Sequence, residues 1–160
     1  MKVSDILRLK GVTLFTVAPE QPLFDAASTM AQHDIGSLVV MSHGELAGML
    51  TFREVLRGVV GNGGSFGSIV VRSVMDDHPL TCTPETSIDE VRRMMLGRHA
   101  RYMPVMDQRT LMGVISFHDV AKAVVDGQDF ENRMLKAYIR DWPAEGAAKE
   151  SAEASGQSTG

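Results

Sequence analysis

The chain has 160 residues, 44% apolar and 22% charged, with a net charge of −4. These figures describe an ordinary soluble globular domain and give no basic footprint for nucleic acid or an acidic membrane surface. No run approaches the ~18 apolar residues of a membrane span, the N-terminus lacks a signal-peptide stretch, and the single cysteine, Cys82, excludes an intramolecular disulfide framework and fits the cytoplasm.

In chain order, a short leading helix is predicted at Val3–Leu7, then a β-like run Phe15–Val17 closed by Pro19. Pro22 suits a first helical turn, and Leu23, Ala26, Ala27 and Met30 keep helical spacing behind it. A hairpin follows: Ser37–Met41, a Ser42-His43-Gly44 turn, then Leu46–Thr51. A second helix is expected from about Phe52 to Val60, and the glycine-rich segment 61–70 reads as a linker.

The same signals then return. A short leading helix near Val71–Met75 precedes a β-like run Leu80–Cys82 closed by Pro84. Ser87-Ile88-Asp89-Glu90 is a capping box, opening a helix with Ile88, Val91, Met94 and Met95 on one face. Tyr102–Met106, a turn at 107–109 and Leu111–Ser116 form the second hairpin, and a helix runs from Phe117 to about Val125. A further helix at 128–143, striped by Phe130, Met134, Leu135 and Tyr138, has no counterpart in the first half. Residues 144–160 hold no bulky apolar side chain and read as a disordered tail.

The return is a true repeat. A shift of 65 positions sets residues 16–57 on 81–122 without a gap. Identities include Thr16/Thr81, Pro19/Pro84, Met30/Met95, Gly48/Gly113, Phe52/Phe117 and Val55/Val120. The expected fold is therefore α/β (α+β): two β-α-β-β-α units, 1–60 and 71–127, related by a pseudo-twofold axis and burying their apolar faces together, plus the C-terminal helix. Clefts between such units are natural ligand sites.

The hairpins end in Gly48-Met49-Leu50-Thr51-Phe52-Arg53-Glu54 and Gly113-Val114-Ile115-Ser116-Phe117-His118-Asp119. With the element order, the tandem copy and the Tyr102–Asp107 strand, this resembles the cystathionine-β-synthase (CBS) domain family over Val3 to about Val125. The chain looks like a stand-alone CBS pair, a Bateman module. The resemblance implies a regulatory protein, not an enzyme, that binds an adenine nucleotide (AMP, ADP or ATP), NAD or another adenosyl ligand and signals to an unidentified protein partner in trans.

Ser116 ends a strand and opens a helix, so its hydroxyl and the free N–H groups there suit a phosphate. Asp119 would accept two ribose hydroxyls and Arg101 would meet phosphate. Phe15, Ile35, Gly36 and Ser37 are implied at the adenine end, with Lys10, Tyr102 and His118 lining the same cleft. Thr51, Arg53, Glu54 and Leu80 form a second, weaker cleft, because Glu54 replaces the usual shorter side chain. Arg101 and Tyr102, opposite Gly36 and Ser37 in the repeat, are expected to favour the first cleft alone. On spacing alone, Thr51-x-x-Glu54 and Ser116-x-x-Asp119 are equally helix caps, so an interaction or structural module with a vestigial cleft is the alternative.

His33, Arg98 and His99 read as ordinary cationic partners of helix C-termini. Cys82 reads as a small buried apolar residue. No spacing makes a metal site, and no nucleophile–base pair is visible. Apolar faces on the second helices (Val55, Leu56, Val59; Val120, Val124), extended by the C-terminal helix, imply a homodimer.

Overall fold

A computed structural model describes residues 1–11 and 14–140. Residues 1–121 form one compact unit, and the described residues from Lys122 lie outside it. In the first unit α1 (Val3–Lys10) precedes β1 (Thr16–Val17), α2 (Leu23–His33), the β2/β3 hairpin (Ser37–Ser42, Glu45–Thr51) and α3 (Phe52–Gly61). A 3-10 turn (Val71–Ser73) then leads to α4 (Ile88–Arg98), the β4/β5 hairpin (Tyr102–Asp107, Thr110–Ser116) and the start of α5 (Phe117–Arg140).

The two copies share their hairpins closely. β2 pairs antiparallel with β3 and β4 with β5, each with a register shift at the equivalent place, Val40/Met41 and Val105/Met106. They differ in the third strand. β1 runs parallel to β2 as part of a three-stranded sheet, and the Val39 N–H extends the ladder by donating to the Phe15 carbonyl at 3.2 Å. In the second copy Pro104 stands at the Val39 position and has no N–H to offer. The expected Leu80–Cys82 strand therefore shrinks to one parallel bridge, Cys82 to Val105.

The leading segments change places. The α1 segment hydrogen-bonds into the second copy, Val3 N–H to Thr86 and Ser4 N–H to Pro84 carbonyls, both at 2.9 Å. The 70–76 segment bonds into the first, Val71 N–H to Gln21 at 2.9 Å and Asp76 N–H to Met49 at 2.9 Å. Val3 and Val71, equally inaccessible to solvent, anchor the exchange. Residues 1–60 and 71–127 are thus not self-contained in their packing.

The two strand glycines receive these visitors. A Cβ at Gly48 would collide with the Asp76 carbonyl, and one at Gly113 would stand 2.8 Å from Leu7 Cδ2. The segment read as a linker is also packed. Phe66 meets Phe24 edge-to-face at 5.5 Å, and the Ile69 carbonyl accepts from Leu23 N–H at 2.8 Å.

Leu23, Met30, Leu38, Val40 and Leu50 make one buried cluster with Val71, while Ile88, Val91, Met95, Met103, Val105, Ile115 and Val120 are buried in the second copy. Each such side chain contributes roughly 1.5–3 kcal/mol. Val120 is therefore core, not the self-association face expected for it.

α5 corrects another expectation. It is one helix of 24 residues, Phe117–Arg140, where two were expected with a break before 128. Gly127 alone costs about 1 kcal/mol in a helix interior and carries no proline's steric veto, so the turn continues. The tail from 144 and the end of the expected C-terminal helix lie outside the described residues. Among those described, no helix is long and apolar enough to cross a membrane.

Candidate ligand clefts

Two left-handed caps shape the site. Asp34 and His99, both at φ 51°, end α2 and α4. Ile35 and Ala100 N–H groups then close back on Met30 and Met95 carbonyls, each at 3.0 Å. The chain turns sharply at both places, delivering residues 35–37 and 100–102 to the mouths of β2 and β4. Neither cap is glycine, so the sequence carried no obvious sign of them.

Beside these turns lies a cleft of about 1140 Å³. Of the residues singled out in the sequence, Lys10, Phe15, Ile35, Gly36, Ser37, Arg101, Tyr102, Ser116 and His118 line it. So do Leu14, Val39, Met95, Leu96, His99 and Phe117, which sequence reasoning missed. Met95 and Val39 were legible only as core periodicity. His99 was legible only as a helix end.

Asp119 does not line the cleft. Its Oδ2 accepts from the Ser116 N–H at 2.8 Å and from Lys10 Nζ at 2.7 Å, while its own N–H donates to Ser116 Oγ at 3.1 Å. That is a reciprocal helix cap reinforced by an ion pair. Burial works against its charged form, but the Lys10 and Ser116 bonds outweigh it and hold the carboxyl below its ordinary value. Lys10 reaches this point because α1 has crossed to the second copy, and its ammonium also donates to the Val114 carbonyl at 3.1 Å.

Cationic side chains gather at the larger cleft although the chain is acidic. Lys10, Arg53 and Arg101, with His99 and His118, line it, and among the described residues no carboxylate does. Phe15 stands against the His33 ring, centroids 4.3 Å apart, at its apolar end.

A smaller cleft of about 480 Å³ has Thr51, Arg53, Glu54 and Leu80 among its lining residues. Glu54 is a cap partner too: the Thr51 hydroxyl donates to its carboxylate and accepts from the Arg53 N–H at 3.3 Å. One expectation fails here. Arg101 and Tyr102 serve both clefts, as do Gly36, Arg53, His99 and Ala100. The reason is the approach of β4 to β2: the Tyr102 hydroxyl occupies the space a Cβ at Gly36 would need, so one thin wall belongs to both sides.

Among the described residues no group of His, Cys, Asp or Glu could hold a metal ion. Burial pushes the Cys82 thiol up to about 12, far from a reactive thiolate.

The CBS domain family model matches residues 3–61 and 71–126. The mitochondrial CBS domain-containing protein CBSX3 of Arabidopsis thaliana is 33% identical over 147 residues, 86% of this chain and 71% of its own. The CBS-domain protein ATU1752 of Agrobacterium tumefaciens has a crystal structure that superposes with a TM-score of 0.73 at 32% identity, covering 77% of this chain and 98% of that one. The structure of CBSX2 in complex with AMP shares the fold, with a TM-score of 0.65 at 21% identity over 79% of this chain and 98% of its own.

Proposed function

The chain belongs to the CBS domain family and carries two of its domains in tandem, and we propose on that basis that it is a regulatory module reading an adenine nucleotide in the larger cleft. The observation that carries this is the cleft's chemistry: apolar walls at Phe15, Ile35 and Val39, and the cations Arg53, Arg101 and Lys10, the last paired with Asp119 behind the wall, with no lining carboxylate among the described residues. An adenine ring suits the first and phosphate the second. The same charge disfavours adenosyl ligands that are themselves cationic. That a neighbour of the same fold holds AMP agrees with the reading.

In this reading Arg101 and the Ser116 end of α5 receive phosphate. Lys10 leaves Asp119 for the ligand's phosphate, and the freed carboxylate turns to the ribose hydroxyls. Because Lys10 ends α1, occupancy pulls on the segment that ties the two copies together. The ligand then favours one arrangement of the module over another, which a partner protein in trans senses. Two copies of the chain associate through α3.

The test is ligand-dependent melting with AMP, ATP and NAD, together with mass spectrometry of small molecules retained on purification. A ligand at a hundred times its Kd adds about 2.7 kcal/mol of stability. A protein that retains nothing and melts unchanged with all three instead supports the second reading, a protein-interaction module. That alternative has its own observation, the complete caps at Thr51/Glu54 and Ser116/Asp119.

A further inference from the structure

Four arginines gather around the smaller cleft. Arg53 and Arg101 line both clefts, whereas Arg57 and Arg98 line the smaller alone. Arg53 and Arg57 are one helical turn apart on α3 and share a face. Arg98 closes α4, and the carbonyl of the next residue, His99, accepts from Arg53 Nη2 at 3.4 Å. All four are exposed.

Their charge is poorly neutralised. Among the described residues, none of the four forms a salt bridge. The carboxylates lining the smaller cleft, Glu54 and Asp76, are engaged elsewhere. The Thr51 hydroxyl donates to Glu54, and the His78 N–H donates to Asp76 at 3.0 Å. What remains is an open cationic rim around a small cleft. A small ligand is held by enclosure, with most of its surface buried. A rim of exposed guanidiniums suits instead a length of chain with carboxylates spaced along it, each met by paired hydrogen bonds. Arg53 and Arg57 follow the exposed Phe52 and Leu56 by one residue each, about 100° round the helix. α3 can therefore associate through its apolar side and leave the rim open.

We propose that the smaller cleft is the docking site for an acidic segment of the partner protein, held by Arg57 and Arg98 and completed by Arg53 and Arg101. Its regulation rests on the adenine-nucleotide reading of the larger cleft. A phosphate there draws on Arg53 and Arg101, so nucleotide and acidic segment compete for the shared pair while occupying different clefts. Nucleotide binding then releases the partner, and by linkage the partner weakens nucleotide binding by the same factor.

The probe is fluorescein-labelled hexaglutamate, followed by anisotropy at low ionic strength, with AMP affinity measured by calorimetry. The wild type is expected to bind one hexaglutamate per chain. Saturating AMP should weaken that binding at least fivefold, and saturating hexaglutamate should weaken AMP binding equally. Arg57→Gln/Arg98→Gln should lose at least tenfold in hexaglutamate affinity and keep its AMP affinity. Arg93→Gln/Arg109→Gln removes the same charge away from both clefts and should bind the peptide as the wild type does. No hexaglutamate binding, equal losses in the two variants, or a peptide affinity indifferent to AMP each overturn the proposal. Two AMP per chain also overturn it, because the smaller cleft is then a nucleotide site. Peptide binding without AMP binding upholds the docking site and overturns the nucleotide reading, so the two failures are told apart. Arg57 and Arg98 are exposed, so the melting midpoint of their variant should not move. Should it fold poorly, Arg98→Gln alone is expected to cost at least threefold in hexaglutamate affinity, and an unchanged affinity overturns the site.

Discussion

Asp119 is the residue on which structure and ligand make competing claims. It caps α5, pairs with Lys10 and stands behind the cleft wall, with its side chain 19% exposed. Its pKa is lowered in the fold, so the unfolded chain binds the proton more readily. Its contribution to stability is therefore fully present above the ordinary carboxylate range, near pH 4, and is lost as pH falls through the lower folded value. Asp119→Asn should melt earlier than the wild type at pH 7, and the gap should close as pH falls through the lowered folded value, below the ordinary carboxylate range. A gap that persists in acid would mean the ion pair is not its source. Removing the side chain as Asp119→Ala should also weaken AMP binding at least tenfold, about 1.4 kcal/mol, if the carboxylate turns to ribose on binding; calorimetry giving an unchanged Kd would leave it a cap alone.

Between elements, the exchange of leading segments makes the two strand glycines unequal. Gly48 lies under the backbone carbonyl of Asp76, whereas Gly113 lies under the flexible end of Leu7. Gly48→Ala must push a hydrogen-bonded backbone aside and should cost about 1–3 kcal/mol; Gly113→Ala can be met by a rotamer change and should cost less. Denaturant melts ranking the two the other way would refute this account. The repeated motif announced both glycines but not their neighbours, because a contact between residues 7 and 113 leaves no periodicity to read. Hairpins and helices were legible, since strand alternation and helical spacing are local. The lost third strand was legible in principle at Pro104, whose missing N–H acts on a partner far away in sequence. Of the repeat motif, Ser116 and His118 line the larger cleft and Thr51, Arg53 and Glu54 the smaller, while Asp119 lines neither. His99 and the shared role of Arg101 were not, because non-glycine left-handed caps and the meeting of β2 with β4 are settled only by tertiary packing.

For the whole molecule, α3 is the element left unfinished. It has no buried residue, and Phe52, Leu56 and Val60 recur every four positions with exposures of 56%, 63% and 74%. Such a contiguous stripe marks an association face. On this helix the expected face, shared with Val120, Val124 and the C-terminal helix, was Val55, Leu56 and Val59, but Val55 turns inward against the Leu23–Met30 cluster, which rotates the free stripe toward Phe52 and Val60. Covering three such side chains on each of two chains yields roughly 9–18 kcal/mol at ~1.5–3 kcal/mol apiece, against an association cost of about 4–15 kcal/mol. The balance is narrow enough that one residue decides it. Leu56→Asp removes two side chains per dimer, about 3–6 kcal/mol, and sets two carboxylates in the contact. Association should weaken by two decades or more, so light scattering at tens of micromolar should report a dimer for the wild type and a monomer for the variant. Leu56 also lines the smaller cleft, which separates two causes: with AMP confined to the larger cleft, its affinity per chain should survive the loss of the dimer. A wild type that is already monomeric would leave the stripe to another partner and refute self-association through α3.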